Sequence, residues 1–166
     1  MANHYLNTSQ KTNDLVNIKC AKAVFDSGVT GALAAGDIVY SGVRIPDGSV
    51  ITRAWYFVNT VFTDGGDDNT TIKLGLVSDD DEFVAAIAIS AAGDVWDAGS
   101  HGTLIGHGGV ESGDNAETAI ENAASNSATF VHVTTDDELI MTVAVDVVAS
   151  GKLTLFVEYV ASGDLA

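Results

Sequence analysis

Histidines are the side chains of this sequence with the most recognisable chemistry. His101, His107 and His132 are candidates for a catalytic base or for metal ligands, since imidazole serves in both roles. In the stretch HGTLIGHGG, His101 and His107 lie six residues apart with Asp97 nearby, but an irregular glycine-rich loop fixes no ligand geometry and no third ligand is apparent. We therefore expect structural roles for these histidines, no bound metal and no cofactor.

Catalytic motifs with a fixed spacing are absent from the sequence. It contains no G-x-S-x-G elbow, no H-E-x-x-H pair, no phosphate-binding Walker loop and no C-x-x-C. Asp146 is the exception among acidic residues that otherwise sit on turns, because it falls inside an apolar run. It either meets water, pairs with a basic residue across a strand, or acts as a catalytic acid. We favour the first two roles and predict no catalytic residue and no enzyme activity.

Two acidic stretches offer the oxygen ligands that calcium prefers. DGGDDN, from Asp64 to Asn69, and SDDDE, which contains Asp79 to Glu82, each supply several carboxylates. Neither has the EF-hand spacing of alternate ligands, a glycine and a distant glutamate. In so acidic a chain such stretches are typical of solvated turns, and calcium binding stays an open alternative for both.

The stretch VITRAWYFVNTVF, residues 50–62, predicts a strand that is apolar on both sides. Alternate residues of a strand point to opposite faces. One face then carries Ile51, Trp55, Phe57 and Val61, and the other carries Val50, Ala54, Tyr56, Val58 and Phe62. One of these faces can form the core of the domain, so the other needs a cover.

The position of an arginine suggests what that cover is. Arg53 projects from the same face as Trp55 and Phe57, and arginine beside large aromatic residues is enriched at protein interfaces. The last apolar run of the chain is two-sided in the same way at Phe156. We predict a subunit interface at Arg53, Trp55, Phe57 and Phe156. The alternative is a middle strand whose second face is covered by the N-terminal segment or by a short helix.

The charge of the chain excludes several classes of partner. Among 166 residues, 23 are acidic and 7 are basic, which gives a formal net charge of −16. We expect neither nucleic acid nor membrane as a partner, because both are anionic and nucleic-acid binding needs clustered lysine and arginine. No apolar run approaches the ~20 residues that span a bilayer, and no secretory signal is found, so we expect synthesis in the cytoplasm. The single cysteine, Cys20, is expected to be a small buried hydrophobic residue.

The elements that must position these residues are strands. Short β-branched and aromatic runs alternate with clusters of Gly, Asp, Ser and Asn, and strands do not alternate with helices. The predicted strands are residues 15–25, 36–45, 50–62, 71–77, 83–90, 129–133, 138–148 and 152–160, while the glycine-rich residues 93–113 stay unassigned. A short helix is predicted at residues 114–125, and a hairpin at residues 149–151.

These elements predict an all-β fold. We expect an antiparallel β-sandwich of jelly-roll type with about eight strands and one short helix. It forms a single domain over residues 14–166, preceded by an extended N-terminal arm over residues 1–13.

Three stretches in this order carry a resemblance to a known family. They are RIPDGSVITRAWYFVNTVF, TIKLGLVSDDDEFVAAI and the closing GKLTLFVEYV. Over residues 21–160 the chain looks like the small β-sandwich capsid decoration, or cement, proteins of marine tailed bacteriophages. The resemblance implies a jelly-roll domain, commonly a homotrimer, that docks outside the major capsid protein shell at threefold positions. It implies no catalytic residue.

On this resemblance we expect a non-enzymatic virion protein on the capsid exterior that binds across major capsid protein subunits and stabilises the shell. The alternative is a β-sandwich recognition module of a phage tail or fibre that binds a host glycan. A glycan binder would leave one or two of Trp55, Tyr56 and Trp96 exposed on a concave site, whereas a cement protein would bury them in its core or between copies. A small hydrolase would require a cleft that joins a histidine to a carboxylate.

Overall fold

The computed structural model describes residues 18–65, 69–90, 96–103 and 131–161, and they form two antiparallel sheets. In chain order the elements are β1 (Ile18–Asp26), α1 (Ser27–Thr30), β2 (Ile38–Ile45), β3 (Val50–Asp64), β4 (Thr71–Leu76), β5 (Val84–Ala88), β6 (Gly99–Thr103), β7 (Val131–His132), β8 (Asp137–Val145) and β9 (Val148–Val160). Within these residues, no helix has the length and apolar character needed to cross a membrane.

The strand order is that of a jelly roll. One sheet runs β1-β9-β3-β6, with the two-residue β7 paired to β3, and the other runs β2-β8-β4-β5. The first and last strands are neighbours, so that Ala23 of β1 lies opposite Leu155 of β9. Two four-stranded layers of this order, with β7 as a short addition, are the double-sheet arrangement of a jelly roll. The predicted all-β sandwich is confirmed.

The core lies between the two sheets and follows the alternation of the strands. In β9, Leu153, Leu155 and Val157 are fully buried, while the residues between them point outward. The largest fully buried side chains are Phe25, Phe83, Ile45, Ile51, Ile72, Leu74, Leu139, Ile140, Met141, Leu153, Leu155 and Val58. Burial of this many large apolar side chains is the main stabilising contribution to the fold.

The core also takes in a residue from the unassigned glycine-rich stretch. Trp96 is 2% exposed and packs against Tyr56, with a distance of 5.4 Å between ring centroids. Its indole N–H donates to the carbonyl oxygen of Ile87 at 3.2 Å, so the polar atom of this buried ring is satisfied. β6 follows directly and pairs with β3, which places this part of the stretch in the five-stranded sheet.

A β-bulge in β3 changes one of the predicted faces. Ile51 lies opposite Tyr159, but Arg53 lies opposite Glu158, so β3 has one residue more than its partner strand at this point. Such an extra residue reverses the alternation of the side chains on either side of it. The prediction that Ile51 shares a face with Trp55 is therefore wrong, and Ile51 is fully buried in the core.

The connection between β8 and β9 is not the predicted hairpin. β8 belongs to the four-stranded sheet and β9 to the five-stranded sheet, so the chain crosses from one layer to the other. The reversal lies at Asp146, which has a φ of 55°, and residues 149–151 already belong to β9. Asp146 therefore stands in a turn rather than inside a strand. An aspartate tolerates this left-handed conformation better than most residues, and Asp146 adopts it between the end of β8 and the start of β9.

One turn of helix, α1, follows β1 at a place where none was predicted. The Asp26 side chain accepts a hydrogen bond from the backbone N–H of Gly28 at 2.9 Å and caps it. The predicted helix at residues 114–125 and the predicted arm at residues 1–13 lie outside the described residues.

Candidate interaction surface

The outer surface of the five-stranded sheet brings together all four residues predicted at a subunit interface. Trp55 on β3 lies directly opposite Phe156 on β9. Arg53 and Phe57 precede and follow Trp55 on the same side of β3. Arg53 is exposed, Phe57 is 42% exposed, and Trp55 and Phe156 are partly buried. Alternation along two paired strands is enough to place these side chains side by side.

Two side chains of β1 extend this surface. Lys22 lies opposite Phe156, and Val24 lies one row away, opposite Thr154. Both are exposed, and Val24 is 46% exposed. We call the surface formed by Lys22, Val24, Arg53, Trp55, Phe57 and Phe156 the aromatic face. Lys22 and Val24 were not predicted at this surface, because only the pairing of β1 with β9 brings them to it.

The side chains of the aromatic face are stacked on one another. The rings of Trp55 and Phe156 are nearly parallel, with 10° between their planes and 5.3 Å between their centroids. The guanidinium carbon of Arg53 lies 4.9 Å from the centroid of Trp55, and the ammonium nitrogen of Lys22 lies 6.0 Å from that of Phe156. The result is a preformed row in which two aromatic rings lie between two cations, each attracted by the electron-rich face of a ring.

The cations of this row differ in their partners from Arg44, Lys73 and Lys152. Arg44 pairs with Glu138 at 3.6 Å, Lys73 with Asp80 at 3.1 Å, and Lys152 with Asp26 at 2.9 Å. Among the described residues, neither Arg53 nor Lys22 forms an ion pair of 4 Å or less. Their positive charges are therefore held at the surface by aromatic rings rather than neutralised by carboxylates.

Cys20 lies at the border of the aromatic face, so the prediction of a buried thiol is wrong. The residue is exposed because it shares the outward side of β1 with Lys22, two residues on. It lies opposite Glu158 of β9. Partial burial, and then the Glu158 carboxylate, raise the pKa of the thiol. A thiol with a raised pKa is a slow nucleophile. Because Cys20 borders the aromatic face, its rate of alkylation can show whether a partner covers this surface.

Histidines do not assemble into a reactive site in the described part of the chain. The ring of His101 stacks on Tyr56 with 5.1 Å between centroids, and its Nε2 lies 2.9 Å from the carbonyl oxygen of Asp97. A carbonyl can only accept, so Nε2 carries the proton and donates. His132 is exposed on β7. His107, the other half of the candidate metal pair, lies outside the described residues.

The acidic stretch between β4 and β5 folds back over the outer side of the four-stranded sheet. A methyl group at Gly75 would overlap the carbonyl oxygen of Asp79, so the loop backbone lies directly on this glycine. Carboxylate oxygens of Asp79, Asp80 and Asp81 approach within 4.8 Å of one another. The ammonium group of Lys73 lies 3.1 Å from Asp80 and 3.7 Å from Asp81. Lys73 thus supplies the positive charge at this cluster, and the side chains form an ion-pair network at the surface of the protein.

Glu82 ends this loop and is partly buried. Its pKa is raised to about 7, first by burial and then by the carboxylates of Asp79 and Asp81. Near neutral pH the folded protein therefore retains a proton here in part of the molecules, and the protonated group donates to Asp79. The other acidic stretch, Asp64 to Asn69, is described only at its ends. There the carboxylate of Asp64 accepts a hydrogen bond from the backbone N–H of Thr70 at 2.9 Å.

A buried carboxylate anchors the start of the acidic loop. Asp137 is 5% exposed and accepts hydrogen bonds from the backbone N–H groups of Val77 and Glu138, each at 2.9 Å. The hydroxyl group of Ser78 also donates to it. A groove of about 290 Å³ lies beside this anchor and is lined in part by Tyr40 and Arg44. The buried carboxylate of Asp137 accepts hydrogen bonds from groups of the protein itself, so its role is structural.

The exposure of Trp55, Tyr56 and Trp96 bears on the choice between a glycan binder and a capsid protein. Tyr56 and Trp96 are each 2% exposed and belong to the core. Trp55 lies at the surface, where its ring contacts Phe156 and Arg53. Of the three residues, only Trp55 reaches the surface, and it is partly buried.

Comparison with known proteins gives a likeness in fold. No protein-family model matches the chain, and no curated protein matches it in sequence. Among solved structures, a chain of the cyanophage Pam1 capsid asymmetric unit matches with a TM-score of 0.57 and 14% identity, covering 87% of this chain and 85% of that chain. A chain of the capsid of Ralstonia phage GP4 matches with a TM-score of 0.52 and 19% identity, covering 87% of this chain and 84% of that chain. Nearly equal coverage means that the matched chains are similar to this one in length.

Proposed function

We propose that this protein is a non-enzymatic structural component of a bacteriophage virion, which decorates the exterior of the capsid and stabilises it by binding across major capsid protein subunits. The observation that carries the proposal is the fold likeness to chains of two phage capsids, which extends over 87% of this chain and over 84–85% of chains of similar length. The likeness concerns the whole domain rather than a part of it. The resemblance of three sequence stretches to cement proteins supports the same function.

The aromatic face supplies a surface for this attachment. Trp and Arg are the residue types that most often dominate binding energy at protein interfaces, and here they are already stacked before any partner arrives. Preorganised side chains lose little conformational entropy on binding. We propose that Arg53, Trp55, Phe57 and Phe156 lie at the contact with neighbouring subunits of the shell.

The charge of the protein fits an exterior position. A net charge of −16 is repelled by packaged nucleic acid, and on the outside of a shell it keeps particles apart and soluble. We further propose a homotrimer at threefold positions, because the cement proteins that the sequence resembles are commonly trimeric.

Reconstitution on empty capsids tests the function. Capsids of the phage that encodes the chain, prepared without it, are mixed with the purified protein, sedimented and imaged by electron cryo-microscopy. We expect co-sedimentation at a fixed stoichiometry and added density at threefold positions, with a higher temperature of capsid disruption. Failure to bind empty and DNA-filled capsids alike would refute the proposal, and binding to host envelope glycans instead would support the alternative recognition module.

A further inference from the structure

The cations of the aromatic face are available to a partner in a way that Arg44, Lys73 and Lys152 are not. A guanidinium held over an aromatic ring by a cation–π contact keeps N–H donors that can bind a carboxylate. The guanidinium carbon of Arg53 lies 4.9 Å from the centroid of Trp55, and the ammonium nitrogen of Lys22 lies 6.0 Å from that of Phe156. Both lie at a surface that Val24 and Phe57 make partly apolar.

The charge of this surface is opposite in sign to that of the chain. The aromatic face itself carries two cations, Lys22 and Arg53, and no carboxylate. Beside it on β9, Glu158 adds one carboxylate, whereas Lys152 and Asp26 form an ion pair with each other. Across the whole chain, acidic residues outnumber basic ones by 23 to 7. The aromatic face therefore attracts an acidic surface, whereas a −16 protein as a whole repels it.

From this we infer that the aromatic face docks onto an acidic protein surface of the capsid shell, with Arg53 and Lys22 each contacting a carboxylate of the shell protein and the rings covering apolar surface between them. The inference rests on the proposed function and names the chemistry of the partner. Electrostatic complementarity of this kind sets the register of docking and speeds association.

The size of the face argues against a second copy as its occupant. The aromatic face is three strands wide, and over a length of about eight residues it covers on the order of 400 Å², from strand spacings of ~4.8 Å and rises of ~3.3 Å. A stable pair of proteins buries about 800 Å² on each partner. Contact through this face alone is too small for a dimer in solution, but it is sufficient where a shell offers many such contacts at once.

Other anionic or ring-binding partners fit less well. An extended polyanion such as a nucleic acid would reach beyond the two cations and meet the acidic surface around them. A glycan would need an open ring face, and the ring of Trp55 already contacts both Phe156 and Arg53. A localised group of protein carboxylates matches both the size and the charge of the site.

Neutralising substitutions test the inference on capsids that bind the unmodified protein. Arg53→Gln, Lys22→Gln and the double variant are compared with Arg44→Gln, which removes one positive charge from β2 in the other sheet. All variants are first checked for unchanged thermal unfolding. A further variant, Arg53→Lys, retains the positive charge but lacks the paired N–H donors of a guanidinium. We expect the double variant to bind at least about tenfold more weakly and to lose part of the salt dependence, with Arg53→Lys intermediate and Arg44→Gln unchanged.

Chemical neutralisation of the partner gives an independent measurement. Capsid carboxylates are coupled to glycinamide with a carbodiimide, and binding of the unmodified protein is measured again. We expect binding to fall, and we expect Cys20 to become protected from alkylation when the protein is bound to untreated capsids. If the double variant binds as Arg44→Gln does, or if treated capsids bind normally, the acidic partner is refuted while the capsid function stands. If the unmodified protein binds no capsid, the proposed function fails instead.

Discussion

Glu82→Gln tests whether the acidic loop between β4 and β5 holds a proton near neutral pH. The pKa of Glu82 is raised from 4.5 to about 7 by burial and by Asp79 and Asp81. The folded protein thus keeps a proton that the unfolded chain releases, so that the free energy of unfolding falls as pH rises between 4.5 and about 7. Below this window both states are protonated, and above it the full cost is present.

The magnitude follows from the same pair of values. The interval from 4.5 to about 7 corresponds to ~3 kcal/mol at 1.36 kcal/mol per pH unit. Glu82 is only partly buried, and Lys73 lies 3.1 Å from the neighbouring Asp80, so solvent and counter-charge reduce this to about 1–1.5 kcal/mol. In a domain of this size, that difference is about 2–6 °C in melting temperature.

The assay is thermal unfolding of the two proteins from pH 5 to pH 8.5. A glutamine amide can donate to Asp79 as the protonated acid does, but it does not ionise. The melting temperature of the natural protein should therefore fall by about 2–6 °C more than that of Glu82→Gln over this range. Glu158→Gln, the same chemical change on the opposite sheet, serves as the control and should follow the natural protein. Parallel curves for the natural protein and Glu82→Gln would refute the assignment of a retained proton.

Three further changes test the structure elsewhere. Gly75→Ala places a methyl group on the carbonyl oxygen of Asp79, so calorimetry should show a loss of about 2 kcal/mol, and an unchanged melting temperature would mean that the acidic loop does not rest on β4. Asp137→Asn replaces an acceptor of the Ser78 hydroxyl and of backbone N–H groups, so urea unfolding should show a loss of about 2–3 kcal/mol, and a neutral effect would contradict its anchoring role. Alkylation of Cys20, followed by mass spectrometry, should be slow at pH 7, accelerate about tenfold per pH unit and be faster in Glu158→Gln, because burial and then Glu158 raise the pKa of the thiol; equal rates would contradict the second cause.

The layers of the fold are predictable from the sequence because they depend on local pattern. Alternating apolar residues identified the strands of both sheets, and the turn chemistry of Pro46, Asp47 and Gly48 correctly separated β2 from β3. β6 was missed because its residues are mostly small and polar, so that pairing with β3 rather than its own composition makes it a strand.

The predictions that were wrong depend on residues far apart in the sequence. The bulge after Ile51 arises from the fit of β3 to β9, about 100 residues away in sequence, and no local pattern reveals it. The exposure of Cys20 depends on which side of β1 meets the core, and that is set by the pairing with β9. For the same reason only part of the aromatic face could be predicted. Its β3 residues alternate along one stretch of sequence, whereas Lys22 and Val24 join them only through the pairing of β1 with β9.

The central position of β9 governs how a newly made copy acquires its structure. The last strand of the jelly roll lies between β1 and β3, so the larger sheet stays open until residues near 160 have left the ribosome. Sheets closed by such distant segments fold in milliseconds to seconds, and only after synthesis. Chains that stop short of β9 would leave the edges of β1 and β3 unpaired and open to chaperones and proteases. The topology thereby separates truncated chains from complete ones before they can assemble together.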